Sequence, residues 1–514
     1  MELLSTPPNP VWWFPLPPQD WAQTPLAVQA YGHTRHDKME QPLWSDGMVT
    51  AVRYPPGPKS TWPGGQIFAF RRDAIGLYTG LACDYGDIVA YRLGAQRSVL
   101  LNHPEYIRDV LVTQQRHFTK SRGLQWAKFV LGEGLLTSEG DVHVRQRRLA
   151  QPAFSRQRIA QYGAAMVPYA ERMRQRWQDG ATLDIAHEMT RLTLAIAGKT
   201  LFDADVEAEA RDIGAALTTV IQLLPRFMLP FSNVIGKLPL PSNRQADRAR
   251  QLLDTVMYRI IRERRAGAVD HGDLLSMLLT ARDEQGDSRG MSDQQLRDEV
   301  MTMLLAGHET TATLLTWTWY LLSQHPTVET QLHAELDTVL AGRLPTVEHI
   351  PQLRYTRMVL AEAMRLYPPA WVIGRRTIEA YEVGGYVLPP NTNVIMSPYV
   401  IHHDARFYPD PERFDPQRWT PEAEAARPPF TYFPFGAGAR QCIGEGFAWM
   451  EGILTLATLA QYWQLRLVPG HPVALRPLIT LRPKHGMRMI LGRRQVGERH
   501  AHILRCTHGA KEGT

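Results

Sequence analysis

The stretch FGAGARQCIG, residues Phe435 to Gly444, places one cysteine in a glycine-rich loop. Gly436 and Gly438 let the backbone pass close to a bulky flat group, and a glycine two positions after Cys442 leaves one side of the sulfur open. The following segment, Phe447 to Leu459, is apolar at helical spacing. Its positive N-terminal end would stabilise a thiolate. Cys442 is therefore predicted to bind a metal.

A lone cysteine is more often a small buried apolar residue than a ligand, so the surrounding pattern has to decide between the two. The pattern F-x-x-G-x-R-x-C-x-G fixes five residue types, and chance would produce it in such a chain on the order of once in ten thousand. The loop resembles the haem-ligand loop of the cytochrome P-450 family. The resemblance implies haem b (iron protoporphyrin IX) as cofactor, with the Cys442 thiolate as the axial iron ligand that favours O–O cleavage.

Composition excludes several classes of protein. The chain has 514 residues, 44% of them hydrophobic, and its three cysteines are Cys83, Cys442 and Cys506. So few cysteines exclude a disulfide scaffold and favour a reducing cytoplasm. The net charge of +6 is too weak a bias to indicate nucleic-acid binding, but it is compatible with an acidic protein partner.

The proline-rich N-terminus lacks the roughly twenty consecutive apolar residues that a transmembrane anchor needs. We therefore expect a soluble cytoplasmic protein without such an anchor. Two interpretations of Trp12, Trp13 and Trp21 are open: a peripheral contact with a bilayer, and packing on the domain.

The resemblance implies a mainly α fold with small β-sheets, the cytochrome P-450 fold. We expect residues 54–491 to form a single haem-thiolate monooxygenase domain. Residues 1–53 are then an N-terminal extension of unknown role, and residues 492–514 a mobile C-terminal tail. Predicted strands are Asp87 to Leu93, Ser98 to Leu101 and Thr392 to Met396.

The longest apolar run, Met301 to Leu322, is predicted to be a helix inside the protein. A histidine, a glutamate and several threonines lie at its middle, where contact with lipid would be costly. Ser292 and Gln295 form a capping-box pattern at its start, and Pro326 marks its end.

The motif AGHETTA, Ala306 to Ala312, lies within that run. A threonine in a buried helix often only bonds back to the preceding turn, and that structural explanation is open for Thr310. Gly307 would allow a flat group or a small ligand to approach the helix axis. The motif resembles the acid–alcohol pair of the family, which implies that Glu309 and Thr310 deliver protons during oxygen activation.

A third motif, EAMRLYPP, places Glu362 and Arg365 on one face of a helix that the two prolines end. Such pairs are common on surface helices. The family joins a second arginine from a downstream loop to this pair, which implies Arg413 here. We expect these three residues to hold the fold around the cysteine loop.

Haem carries two propionates, so its pocket needs cations or hydrogen-bond donors. The resemblance implies four such residues besides the cysteine: His143, Arg147, Arg375 and Arg440. His143 stands where the family usually has tryptophan, and Arg376 is an alternative to Arg375. Solvated surface arginine remains the simpler explanation at each arginine.

The resemblance implies a monooxygenase that inserts one atom of O2 into a lipophilic substrate. The sequence is compatible with a fatty acid, a terpenoid or a steroid-like molecule as that substrate. No flavin or iron–sulfur signature appears, so we expect a separate ferredoxin or flavodoxin-type electron donor with its reductase. Arg145 and Arg148 are candidates for docking it, and a plain solvated helix face explains them equally well.

The apolar, proline-broken stretch Val220 to Leu240 resembles the family's substrate-entry region and is predicted to be a lid between two helices. Core packing and a membrane-touching patch explain it equally well. Three other functions keep the same fold: a haem-thiolate isomerase or dehydratase, a peroxide-driven hydroxylase, and a non-enzymatic haem sensor. The first two would lack the Glu309–Thr310 pair.

Overall fold

The computed structural model describes residues 53–59, 64–205, 209–223, 238, 240–267, 272–282 and 290–494. The predicted N-terminal extension lies outside the described residues except for residue 53. Residues 495–514 of the tail and most of the predicted lid, 224–237 and 239, also lie outside them.

Helices make up most of the described chain. They are α1 (Ile67–Arg72), α2 (Ala74–Tyr85), α3 (Pro104–Arg108), α4 (Arg122–Trp126), α5 (Lys128–Leu131), α6 (Gly140–Ala150), α7 (Arg156–Arg176), α8 (Ile185–Phe202), α9 (Ala210–Leu223), α10 (Pro241–Ala266), α11 (Leu274–Thr280), α12 (Asp293–Gln324), α13 (Pro326–Leu340), α14 (Arg354–Leu366), α15 (Pro398–His402), α16 (Pro421–Ala426) and α17 (Glu445–Ala460). A π-helical turn (Asp109–Thr113) and short 3₁₀ turns join some of them; the 3₁₀ turns are Gln115–His117, Gln151–Phe154, Val347–Gln352, Pro416–Trp419 and Gly438–Arg440.

Short strands form small sheets beside the helices. They are β1 (Ile88–Leu93), β2 (Gln96–Leu101), β3 (Phe118–Lys120), β4 (Thr182–Asp184), β5 (Ile373–Thr377), β6 (Tyr381–Val383), β7 (Tyr386–Leu388), β8 (Asn393–Met396), β9 (Trp463–Leu467), β10 (Leu475–Pro477), β11 (Leu481–Pro483) and β12 (Arg488–Arg493). The largest sheet has the order β1-β2-β8-β5-β3, and its one parallel pair is β2 with β8. The other sheets are β4-β12-β9 and the hairpins β6-β7 and β10-β11. The predicted strands are confirmed to within two residues at each end.

Helix α12 forms the centre of the helical layer and packs against α8, α14 and α17. The predicted capping box is present: the Gln295 amide donates to Ser292 Oγ at 3.2 Å, and the Ser292 amide donates to Gln295 Oε1 at 3.0 Å. The helix is apolar all round, and Trp317 stacks on Tyr367 with ring centroids 4.2 Å apart. No described helix is long and apolar enough to cross a membrane.

Candidate active site

The cysteine loop lies between the end of a buried aromatic segment and α17. The Cys442 amide donates to the Phe435 carbonyl at 2.9 Å, which closes the loop. Gly436 and Gly438 have φ of +68° and +70°, a region that other residues rarely adopt. A Cβ on Gly438 would lie 2.1 Å from the Leu111 carbonyl oxygen. Gly438 therefore allows a close approach of the loop to the backbone at Leu111.

The Cys442 side chain is exposed, yet the protein around it raises the pKa of the thiol to about 11 by desolvation. The Gly444 amide, which donates to the sulfur, and the positive charge of Arg147 oppose this shift, whereas Glu445 adds to it. The sulfur is thus a neutral thiol until a cation binds it, and the donors that would stabilise a thiolate are in place.

Within the described ranges, Cys442 does not belong to a larger cluster of metal-binding side chains. No three histidine, cysteine, aspartate or glutamate side chains in them form a metal-binding cluster. A structural zinc site needs four protein ligands and a catalytic one three. A metal on Cys442 therefore has to bring most of its ligands with it, as the iron of a haem does.

The four predicted cofactor-binding side chains come together beside the cysteine loop. Arg147 on α6 donates to the Gln441 carbonyl at 2.7 Å, next to the cysteine. Arg440 donates to the Ser138 carbonyl at 2.9 Å and to Glu139 at 2.6 Å. His143 is buried on the same helix as Arg147. Arg375 lies on β5 within the electrostatic reach of Arg440.

A fifth basic residue, Lys120, was not predicted from the sequence. It lies opposite Arg375 in the antiparallel pairing of β3 with β5, so the two side chains share one face of the sheet, and Arg376 points to the other face. The Lys120 ammonium donates to the carbonyls of Leu135 and Ser138 at 2.9 and 2.8 Å. Only the long-range pairing of β3 with β5 reveals it, since its local sequence has no distinctive pattern.

These cations repel one another. Burial first, and then mainly the charge of Arg440, lower the pKa of Lys120 to about 6, that of His143 to about 3 and that of Arg375 to about 10. Glu139 is the carboxylate that compensates them. A cluster of this kind has a deficit of negative charge. The two propionates of a haem would supply it, so the residues present fit that group.

The middle of α12 has an open face. Ala306 is exposed, and Gly307 and Thr310 are half-buried, although most of the helix is buried. The Thr310 hydroxyl donates to the Ala306 carbonyl at 2.8 Å, the back-bond that the structural explanation anticipated. A Cβ on Gly307 would meet Leu201 of α8 at 3.5 Å. A Cβ at this distance would make an ordinary van der Waals contact, so packing does not require the glycine, and the approach of a ligand to the helix axis stays a prediction.

Glu309 points away from Thr310. It forms an ion pair with Arg482 on β11 through both carboxylate oxygens, and the Thr480 hydroxyl donates to it at 2.5 Å. Burial alone would raise the pKa of Glu309, but the charge and hydrogen bonds of Arg482 outweigh burial and lower it. Arg482 also donates to the Thr218 hydroxyl of α9 at 3.1 Å. Arg482 was not predicted from the sequence, because it lies 173 positions from its partner.

The predicted cluster of Glu362 with two arginines is present, but one of its two arginines differs from the prediction. Arg365 donates to both oxygens of Glu362 at 2.8 Å, and both side chains are fully buried. The second arginine is Arg418, 3.4 Å from the carboxylate, and Trp419 also donates to Glu362 at 2.9 Å. Arg413 was the wrong choice: its side chain is exposed, and only its carbonyl takes part by accepting from Arg365.

The sequence matches the family model of cytochrome P450 across residues 55–487. It is 42% identical over 399 residues to cyclooctatin synthase of Streptomyces melanosporofaciens, covering 77% of this chain and 87% of that protein. It is 39% identical over 436 residues to cyclooctat-9-en-7-ol 5-monooxygenase of the same species, covering 82% and 94%. It is also 38% identical over 439 residues to pentalenene oxygenase of Streptomyces avermitilis, covering 84% and 96%.

Among solved structures, the retinoic acid bound cyanobacterial CYP120A1 superposes with a TM-score of 0.78 at 27% identity, covering 87% of this chain and all of that one. The cysteine loop, the cation cluster and the α12 motif all lie within the matched region. The chain therefore belongs to the cytochrome P450 family and is a haem-dependent monooxygenase of bacterial type.

Proposed function

We propose that this enzyme uses haem b to insert one oxygen atom from O2 into a terpenoid. The names of two Streptomyces relatives, pentalenene oxygenase and cyclooctat-9-en-7-ol 5-monooxygenase, support the substrate class. The match with this chain extends over more than nine-tenths of the length of each of these relatives. The observation that carries the chemistry is Cys442, a single thiolate ligand beside an under-compensated cation cluster. We assign residues 54–491 to the catalytic domain.

Cys442 would hold the haem iron, and Arg147, Arg375 and Arg440 would hold its propionates. Because their pKa values are lowered to about 3 and about 6, His143 and Lys120 are mostly neutral at physiological pH, and both would donate hydrogen bonds to the propionates. When bound, haem binds and activates O2 with electron density donated by the thiolate. The protein residues hold the cofactor, exclude water and move protons. The overall reaction is RH + O2 + 2e⁻ + 2H⁺ → ROH + H2O.

Thr310 and Glu309 are proposed to serve proton delivery. Thr310 lies on the open face of α12, where its hydroxyl can exchange the back-bond to Ala306 for a bond to a ligand. Glu309 is held by Arg482 and Thr480, so it can take part only after this ion pair has opened. Proton transfer would then include a conformational step.

The two electrons are proposed to come from a ferredoxin or flavodoxin-type protein with its own reductase. Arg145 and Arg148 on α6 are half-buried, and Arg145 donates to the Gly290 carbonyl at 3.2 Å, so neither is a fully extended surface charge. If the positive charge of α6 guides docking, raising the ionic strength should slow reduction by an acidic ferredoxin. Reduction that is independent of salt would contradict this.

Two measurements test the function. The reduced protein with carbon monoxide should show the red-shifted Soret band of thiolate ligation, and a histidine-type spectrum would refute Cys442 as ligand. Turnover of cyclic terpenes with NAD(P)H and surrogate redox proteins should yield a hydroxylated product. Product formed with hydrogen peroxide alone would instead favour the peroxide-driven hydroxylase. If no product forms under either condition, the haem sensor becomes the favoured function.

Thr310→Ala should divert electrons from product to peroxide, because it removes a hydroxyl from the open face of α12. Thr316→Ala is the matched control: Thr316 makes the same back-bond, to the Ala312 carbonyl at 2.7 Å, but is buried. Equal peroxide release from both variants and the wild type would remove Thr310 from the mechanism.

A further inference from the structure

Residues 132–139 form a bridge segment between α12 and the cation cluster. Two of its glycines let it lie directly on the helix. A Cβ on Gly132 would lie 2.2 Å from the Asp298 carboxylate, and a Cβ on Gly134 would lie 2.2 Å from Thr302 Oγ1. A side chain at either glycine would therefore push the bridge segment away from α12. The proposed function assigns no role to this contact.

Two carboxyl groups of α12 hold the bridge segment by its backbone. The Glu133 amide donates to Asp298 Oδ2 at 2.8 Å, and the Leu135 amide donates to Glu299 Oε2 at 3.1 Å. Asp298 also pairs with Arg297 at 3.0 Å, so its charge is compensated. Glu299 differs, because it is fully buried and its Oε1 atom has no hydrogen-bond partner within the described ranges. Buried carboxyl groups are normally paired, so this one needs a physical explanation.

Lys120 holds the same segment from the other side. Its Nζ atom donates to the carbonyls of Leu135 and Ser138 at 2.9 and 2.8 Å. Leu135 therefore bonds to Glu299 through its amide and to Lys120 through its carbonyl. A protonated lysine has three N–H donors, so the ammonium form of Lys120 would keep one donor for a propionate.

Charge links Glu299 to the cation cluster through Lys120. Burial raises the pKa of Glu299 to about 7; the charge of Asp298 adds to this shift, whereas a backbone hydrogen bond and the charge of Lys120 oppose it. Burial and then the charge of Arg440 lower the pKa of Lys120 to about 6. Among the basic residues of the described chain, Lys120 is thus the one whose charge reaches Glu299, while its own charge is affected by the cluster.

We propose that Glu299 and Lys120 form a charge relay through which haem binding tightens the hold of the bridge segment on α12. Glu299 is then a positioning residue for the cofactor. This inference rests on the proposed binding of the propionates by the cation cluster.

The relay depends on the two charges that the propionates bring. A carboxylate beside an amine favours the protonated amine, so a propionate raises the pKa of Lys120. The ammonium in turn lowers the pKa of Glu299, as the charge of Lys120 does here. Lys120 gains a proton and Glu299 loses one, both by exchange with water. Hydrogen bonds to charged groups are about twice as strong as neutral ones, so both bonds at Leu135 strengthen together.

Haem release tests the relay without turnover. The rate of haem transfer to excess apomyoglobin, followed by the Soret band, is compared between the wild type and Glu299→Gln. Because haem binding lowers the pKa of Glu299, its contribution to haem retention is present above about pH 7 and is lost as the pH falls. A pKa lowered by about one corresponds to release from Glu299→Gln on the order of tenfold faster at about pH 8, and less than about twofold faster at about pH 6. A ratio of rates that does not rise with pH would overturn the proposal.

Two other variants separate charge from packing. Glu299→Asp keeps the charge and should keep the pH dependence of the wild type, and an Asp variant that behaves like Glu299→Gln would count against the relay. Thr302→Val is the matched control, because Thr302 is buried one turn along α12, contacts the bridge segment and carries no charge. It should leave the pH dependence of release unchanged. Loss of that dependence in Thr302→Val would mean that any change at this contact has the same effect, which would also overturn the proposal.

A double variant tests the link between the two residues. Lys120→Met breaks the relay, so adding Glu299→Gln to it should not speed haem release further at about pH 8. An equal effect of Glu299→Gln in both backgrounds would overturn the relay. Release from Lys120→Met as slow as from the wild type would instead contradict the proposed propionate contact on which the relay rests. Failure of the monooxygenase assignment would appear separately, as a wild type that forms no hydroxylated product.

Discussion

Arg482→Gln should make the stability of the enzyme depend on pH in the opposite sense to the wild type. Glu309 is 3% exposed, and both its carboxylate oxygens contact Arg482; His308, whose pKa burial lowers, lies 3.9 Å from Oε2. Removing one partner of a buried ion pair typically costs about 3–5 kcal/mol, because a buried charge is left alone. Arg482 is 21% exposed, so solvent screens part of the interaction and we expect the lower end, about 3 kcal/mol at about pH 8.

The sign follows from the two pKa shifts. In the wild type the pKa of Glu309 is lowered, so the ion pair stabilises the fold above the ordinary carboxyl pKa and is lost as the pH falls. In the variant the opposing charge of Arg482 is absent, so burial raises the pKa of Glu309. Native Glu309 then holds a proton that the unfolded chain lacks, so the variant should lose stability as the pH rises, by up to about 1.4 kcal/mol per pH unit.

Urea unfolding of the haem-loaded proteins, followed by the Soret band and by circular dichroism over a series of pH values, measures this. Near about pH 5 the destabilisation of the variant should fall to about 1 kcal/mol, which is the contribution of the lost hydrogen bonds. Adding Glu309→Gln to Arg482→Gln removes the stranded charge and should recover stability at alkaline pH. A destabilisation that does not vary with pH, or a double variant as unstable as Arg482→Gln, would refute the reasoning.

Two further predictions compare neighbouring residues. Gly438→Ala should abolish haem incorporation, since its Cβ would lie 2.1 Å from the Leu111 carbonyl oxygen. Gly436→Ala, whose nearest contact is 3.6 Å, should cost only the strain of its positive φ, about 1 kcal/mol. Equal haem content in the two variants would contradict this. Arg418→Met should lower the free energy of unfolding, because it removes a charged partner of the fully buried Glu362. Arg413→Met should change the free energy of unfolding by no more than about 0.5 kcal/mol. A larger loss in Arg413→Met than in Arg418→Met would instead support Arg413 as the partner of Glu362.

Local patterns predicted the parts of the site that depend on neighbouring residues. The capping box and Pro326 gave the ends of α12, because helix ends are set within one turn. The glycines around Cys442 predicted a tight loop. The contact that requires Gly438 was not predicted, however, because Leu111 lies in a distant part of the chain.

Partners that are far apart in sequence could not be predicted. Lys120 joins the cation cluster only through the pairing of β3 with β5, and Arg482 reaches Glu309 only through the β10-β11 hairpin. The error at Arg413 is of another kind. A loop that contains several arginines does not reveal which of them points inward, because the backbone path through its prolines decides that.

The ion pair of Glu309 bears on how this residue could deliver protons. Burial would raise the pKa of Glu309, but the charge and hydrogen bonds of Arg482 outweigh burial and lower it. Glu309 is therefore a carboxylate without a proton to give while the pair with Arg482 is formed. The motif AGHETTA predicted Glu309 as a residue that delivers protons, and that role requires the ion pair to open first. Because Arg482 also donates to the Thr218 hydroxyl of α9, we expect movement of α9 to affect when the pair opens.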